Sequence, residues 1–279
     1  MKETAPPVVR IFLVLDRIFS AMWRTFKMVR DETLWAWASK SARDQANRAI
    51  YGGQTVYSPG GSTFQDGLFS WEREEIAASF PPSGRILLGG AGGGRELVEL
   101  CKAGYDVLAL EPVPALAAAA RAAAAPYPRS KVITASYTDL VHAAEQRSGP
   151  LAAHLCGVDF QGVILGWTSF SYVWKDEREA LLKALRRLAP HAPVLLSFFA
   201  REDVDDGRLA KLRDWYRRLL RRVGAKDLSE PGDIFHPSAG FHCSFTPEEI
   251  YSLAREAGYD ADTVEGHFTP RTLLRPRSS

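Results

Sequence analysis

Cysteine is scarce in this chain. Cys101, Cys156 and Cys243 are the only three in 279 residues, and no two form a CxxC pair. That excludes a disulfide framework and fits a reducing compartment. Neither sign of charge is in excess, with a net charge of +2, so composition gives no electrostatic footprint for nucleic acid and none is expected as a partner. Long hydrophobic runs are also missing. The apolar patch at residues 11–15 is broken by Asp16 and Arg17 and is followed by no clean small-residue cleavage site. It is too short to span a membrane and poor as a signal peptide. The expectation is a cytoplasmic protein with no stable membrane insertion.

What is present is alternation. Short apolar runs at residues 85–89, 105–110, 131–134, 161–166 and 194–199 are separated by helix-compatible stretches such as "PALAAAARAAAAP" and "DEREALLKALRRLAP". Strands alternating with helices predict an α/β fold, a mostly parallel sheet with helices on both faces. In the second stretch Asp176 and Glu179 stand at capping-box spacing. "FTPEEIYSLAREAGY" has the strongest helix signature: Thr246 as N-cap, Pro247 in the first helical position, Glu249 as reciprocal cap and Gly258 beyond the last turn. A strand at "DADTVEG" and another near residues 272–274 complete the pattern.

Two regions lie outside it. Residues 8–50 read as a helical extension or lid rich in Phe, Trp and Met, with Arg10, Arg17 and Arg24 on one helical face. Residues 207–223 place Leu209, Leu212, Tyr216, Leu219 and Val223 on one side and Arg on much of the rest. Both are read as solvated basic faces on packed helices, with a lid, an anionic-substrate patch or a homodimer surface as alternatives. The domain division is residues 1–50 as extension and 51–279 as the main domain, with 200–243 as an insertion contributing to a pocket.

"RILLGGAGGGRE", residues 85–96, joins the first strand to the first helix of the alternation. A glycine-rich turn there brings backbone close to a ligand and presents the unpaired N–H groups of a helix N-terminus. Gly94 is followed by Arg95 and Glu96, so the Gly-Lys-Ser/Thr of a P-loop is missing. A dinucleotide G-x-G-x-x-G would need glycine where Arg95 stands. G-x-G-x-G is met by Gly90, Gly92 and Gly94, and about twenty residues on the second strand ends at Glu111, a carboxylate suited to two ribose hydroxyls. The third strand leads into "ASYTDL" and the fourth into "GWTSFSYV", on the same edge of the sheet.

With these motifs in this order, residues 84–199 and the "FHCSFTPEEIYSLAREAGY" element resemble the class I S-adenosylmethionine-dependent methyltransferases. The resemblance implies a Rossmann-like, seven-stranded, mostly parallel sheet in the order 3-2-1-4-5-7-6, the last strand antiparallel. It implies S-adenosyl-L-methionine as cofactor, with Gly89, Gly90, Gly92 and Gly94 along its methionine and ribose portion. Glu111, followed by Pro112, would take the ribose hydroxyls. Ser136 and Tyr137 fall at the adenine side, and Trp167 would face the sulfonium. Leu88 stands where the family usually has an acid. The loop from Tyr51 to Glu74 is read as crossing the cofactor mouth, with Tyr51 or Tyr57 near the sulfonium, since electron-rich rings suit a cation.

Methyl transfer to a hydroxyl or protonated amine is helped by a base, and His236 and His242, just before the Thr246-capped helix, are the candidates. His236, His242 and Cys243 lack the spacing of a metal site, and no metal is expected. No Asn/Asp-Pro-Pro-Tyr/Phe follows the fourth strand, which disfavours nucleobase acceptors. The expected activity is methyl transfer to O or N of a small, natural-product-like molecule. The alternative is a methyltransferase-fold binding or regulatory protein without catalysis.

Overall fold

The structure is a computed structural model that describes residues 6–201, 207–225, 227–264 and 269–277. The chain opens with helices α1 (Pro7–Trp37), α2 (Lys40–Gly52), α3 (Ser62–Gln65) and α4 (Ser70–Ser79). The alternation follows as β1 (Arg85–Gly89), α5 (Arg95–Lys102), β2 (Asp106–Leu110), α6 (Pro114–Ala124), β3 (Lys131–Ile133), α7 (Tyr137–Gln146), α8 (Gly149–Leu155) and β4 (Gly162–Leu165). Then come α9 (Lys175–Leu188), β5 (Val194–Ser197), β6 (Phe199–Ala200), α10 (Gly207–Arg222), β7 (Asp233–His236), β8 (Gly240–Phe245), α11 (Pro247–Glu256), β9 (Tyr259–Val264) and β10 (Arg271–Pro276).

Seven strands form the main sheet in the order β3-β2-β1-β4-β5-β10-β9. The first five are parallel, and β10 runs antiparallel to both β5 and β9. This is the expected order and direction. The central strands are apolar without alternation because both faces are covered: Ile86, Leu87 and Leu88 are all fully buried, on two separate cores. Leu88 is therefore a core residue. The alanines of α6 let it approach the glycine turn closely, with Ala120 Cα only 3.2 Å from where a Gly94 Cβ would sit.

Local expectations met mixed outcomes. Thr246 and Glu249 form the capping box of α11, with Pro247 in its first turn. Asp176 and Glu179 form none. The helix begins two residues earlier than an Asp176 cap requires, at Lys175, its N-cap is Trp174 without a side-chain cap, and Glu179 instead pairs with Lys183. The fifth strand breaks at buried Phe198, and β6 leaves the main sheet to pair with β8. With β7 it makes a three-stranded sheet inside the 200–243 region and its flank, which lacks a strand signature in sequence.

The helical extension divides. Its C-terminal part is packed: Trp35 meets Trp174 and Phe241 edge-on, each at 5.6 Å, and the Arg43 guanidinium lies over both tryptophan rings. From Pro6 to Arg24 every residue is exposed. The packed helix expected there is corrected for that stretch, as no other element among the described residues covers its apolar side chains.

One buried charge cluster fixes the glycine turn. Arg95, the first residue of α5, donates to both oxygens of Glu72 at 2.6 and 2.7 Å, to Glu96 at 2.6 Å and to the Gly67 carbonyl at 2.6 Å. Its guanidinium lies 4.2 Å from the Phe69 ring centroid. Burial pulls the Arg95 pKa down, but Glu96 and Glu72 outweigh that and keep it charged. Replacing Arg95 with Met should destabilise the fold by about 3–5 kcal/mol, because two carboxylates stay buried without their partner. Urea denaturation would measure this, and a loss within experimental error would show that the cluster does not hold the turn.

Candidate functional site

The C-terminal ends of the parallel strands open into a cavity of about 230 Å³. Gly90, Gly92, Glu111, Pro112, Ser136, Tyr137 and Trp167 line it, together with Tyr57, so most of the residues singled out in the sequence meet in one place. This is the position at which open α/β sheets bind ligands.

The glycines divide the work of the turn. Gly90, Gly92 and Gly94 have positive φ of 68°, 55° and 100°. A Cβ on Gly89 would lie 2.5 Å from the Tyr137 ring, and one on Gly90 would lie 2.6 Å from Ser169 Cβ. A Cβ on Gly93 would lie 2.0 Å from the Tyr57 carbonyl oxygen, so the preceding loop rests directly on the turn. Gly92 alone of the turn's glycines has nothing within 4 Å of its Cβ position, and it faces the cavity. Gly89 and Gly94 support the turn from below without lining the cavity.

Glu111 is held at the end of β2 by two backbone donors. Gly92 N–H donates to one carboxylate oxygen at 2.7 Å and Val113 N–H to the other at 2.9 Å. The side chain is buried yet lines the cavity, and burial pushes its pKa up to about 7 against the lowering effect of those two bonds. Ser136 caps α7 and exchanges hydrogen bonds with Asp139, so its hydroxyl is engaged by its own helix. Tyr137 donates or accepts at Ser169 Oγ across 2.6 Å. The Trp167 N–H is fixed by Glu96, and its ring meets Phe69 edge-on.

The other end of the cavity is aromatic and is walled by α2. Tyr51 and Tyr172 are hydrogen-bonded hydroxyl to hydroxyl, and Tyr51 and Tyr57 rings lie 5.6 Å apart. Burial raises the pKa of all three phenols, so they remain protonated donors at neutral pH. Asn47 on α2 locks onto β8, donating to the Phe241 carbonyl at 2.8 Å and accepting from its N–H at 2.7 Å. Asp44, beside it, accepts from the Trp174 indole at 2.8 Å, and burial raises its pKa.

The two histidines part company. His242 is buried on β8, its ring 4.9 Å from Phe199 and 6.0 Å from Tyr172, and burial lowers its pKa so that it is neutral near pH 7. It sits behind Tyr172, which lines the cavity. His236 is exposed on β7 and bonds to Ser238, away from the cavity. Cys243 donates to Asp233 at 2.8 Å, and no cluster of three His, Cys, Asp or Glu residues able to hold a metal occurs among the described residues. His267 lies outside the described residues. Tyr172 lies in the "GWTSFSYV" segment without having been singled out, and Asn47 and Asp44 carry no motif and emerge only from the packing.

No protein-family model matches the sequence, and no curated protein matches it. Solved structures do. DhpI in complex with SAH is similar at 13% identity, over 86% of this chain and 100% of that one, with a TM-score of 0.52. The glycopeptide N-methyltransferase MtfA complexed with S-adenosyl-L-homocysteine is similar at 16% identity, over 74% of this chain and 88% of that one, with a TM-score of 0.50. A TehB-like SAM-dependent methyltransferase from Corynebacterium glutamicum aligns at 16% identity over 73% and 86%, with a TM-score of 0.46. In strand order, strand direction and place of the cavity, the chain has the fold of the class I S-adenosylmethionine-dependent methyltransferases.

Proposed function

We propose that the protein is an S-adenosyl-L-methionine-dependent methyltransferase acting on an oxygen or nitrogen of a small-molecule acceptor. The observation that carries the reading is the juxtaposition of Glu111 and Gly92. A buried carboxylate that lines the cavity and has acceptor capacity beyond its two backbone donors suits a pair of hydroxyl donors such as a ribose. Gly92 beside it leaves open space that any side chain would fill. When bound, the cofactor supplies an electrophilic methyl group on a sulfonium.

The chain's own residues supply position and dryness. Gly90, Gly92, Glu111 and Pro112 form the ribose side of the cavity, and Tyr137, beside the Ser136 cap, its base side. The Trp167 ring is held by Phe69 from behind and the Glu96 carboxylate anchors its backbone. In-line methyl displacement gains most from alignment and excluded water. Tyr51, Tyr57 and Tyr172 close the acceptor end with rings that suit a cation and with hydroxyls that orient an acceptor. Their raised pKa values make them donors and not bases. His242, neutral, has its ring tilted 6.0 Å from that of Tyr172, whose hydroxyl is bonded to Tyr51 and the Ala239 carbonyl, so it acts through the placement of Tyr172 and not as a base on the acceptor.

A second reading, a methyltransferase-fold binding protein without turnover, is favoured by one observation: no histidine among the described residues lines the cavity. Titration with S-adenosylhomocysteine separates binding from no binding, and transfer of labelled methyl to candidate acceptors separates the two readings. Undetectable binding at millimolar ligand would sink both.

Glu111→Gln should weaken S-adenosylhomocysteine affinity by roughly tenfold to a hundredfold, the loss of charge-assisted hydrogen bonds. In the native protein that affinity should fall about tenfold per pH unit below about 7, as the carboxylate takes up a proton. Stability of the ligand-free protein moves the opposite way. The folded pKa of Glu111 lies above its ordinary value of 4.5, so its contribution is complete below that value and is lost as pH rises through about 7. Calorimetry across pH checks both, and a Gln variant that keeps the pH slope would refute the assignment.

Gly92→Ala and Gly93→Ala should behave differently. The first adds a methyl to the cavity and should cut ligand affinity at least tenfold while costing only about 1 kcal/mol of stability for its left-handed backbone. The second collides with the Tyr57 carbonyl and should cost more stability than the first. Equal losses of both properties in the two variants would contradict this division.

A further inference from the structure

The first helix carries an apolar face that nothing among the described residues covers. Phe12 is 66% exposed, Phe19 75% and Met22 64%, on a helix whose residues 6–24 are all exposed. At helical pitch Phe12, Leu15, Phe19, Met22, Trp23 and Phe26 fall within about 100° of arc, and Arg10, Arg17 and Arg24 lie opposite. Residues 8–26 extend about 28 Å at 1.5 Å per residue, a long exposed apolar strip for one domain.

Helix α10 packs beside the inner half of α1. Tyr216 hydrogen-bonds Thr33 at 2.8 Å and Arg217 pairs with Glu32 at 2.9 Å. Its outward side repeats the pattern, with Trp215, Leu219 and Val223 exposed between Arg208, Arg218 and Arg222.

Charge decides what the surface fits. Helices α1 and α10 together hold twelve basic side chains and four acidic ones, Asp16, Asp31, Glu32 and Asp214, while the whole chain is only +2. Positive charge is thus segregated onto these two helices, and the remainder of the protein is net negative. A second copy docked face to face would bring two cationic surfaces together, which costs free energy. A bilayer interface with anionic headgroups offers both apolar depth and opposite charge. Aromatic and aliphatic side chains on one face, with arginine on the other and along the flank, are the composition of helices that lie in that interface. No helix among the described residues is long and apolar enough to cross a membrane, so the contact is in the plane of the surface.

We infer that α1, with α10 beside it, docks the protein on an anionic lipid surface. The docking is separate from ligand binding in the cavity, so either can fail without the other.

The full-length protein should be mixed with vesicles of phosphatidylglycerol and phosphatidylcholine in equal parts, and with vesicles of phosphatidylcholine alone, then separated by flotation. It should float with the anionic vesicles, partition at least tenfold less to the neutral ones, and be released by salt. Replacing Arg10, Arg17 and Arg24 together with Gln should lower partitioning roughly tenfold to a hundredfold. Phe19→Glu with Trp23→Glu should abolish flotation and leave the melting temperature and S-adenosylhomocysteine affinity unchanged. A native protein that stays with the buffer at low salt would overturn the inference. So would a Glu variant that floats normally, or a dimer in light scattering that the Glu substitutions dissociate.

Discussion

The turn between β1 and α5 depends on a cation that is buried and paired. Arg95 sits between Glu72 and Glu96 and also holds the Gly67 carbonyl, tying the α3–α4 connection to the first turn of α5. Glu96 in turn receives the Trp167 N–H, so the loop after β4 hangs on the same group. Three segments that are far apart in sequence are thereby fixed around one guanidinium. A buried network of this kind gives little net stability over a hydrophobic one, but it is costly to break in part. It therefore acts as an all-or-none constraint on where the cavity wall stands.

On that support the cavity has two ends of different chemistry. One is built of backbone and a carboxylate, with Glu111 held by Gly92 and Val113. The other is built of phenols and a helix contributed from outside the sheet, α2, which is pinned through Asn47 to β8.

Much of the first end was legible in the sequence. Glycine spacing, the strand-end Glu111 and the fourth-strand Trp167 are local signals, and the continuous apolar strands dictate the covered sheet that brings them together. The second end was legible only at Tyr51 and Tyr57, whose loop reads as crossing the mouth. Asn47 is placed by long-range packing of α2 on β8, and Tyr172, in the turn after β4, by its contacts with Tyr51 and Ala239, which no short motif encodes. Arg95 was visible only as the residue that spoils a phosphate-binding loop, because its partners Glu72 and Glu96 lie on either side of the glycines and their pairing needs the fold. The capping box at Asp176 failed for a local reason: Lys175 already begins the helix after Trp174. The packed helix expected over residues 8–24 failed because amphipathic periodicity reports that a face seeks cover and does not say whether the cover belongs to the same chain.

The glycine turn carries a further consequence. Gly89, Gly90, Gly93 and Gly94 are hemmed in by Tyr137, Ser169, Tyr57 and Ala120, all from the protein itself. Only Gly92 opens on empty space. Selection on this turn is thus mostly selection for self-packing. A descendant that lost its ligand altogether would still retain four of these five glycines, and its inherited pattern would advertise a site no longer in use.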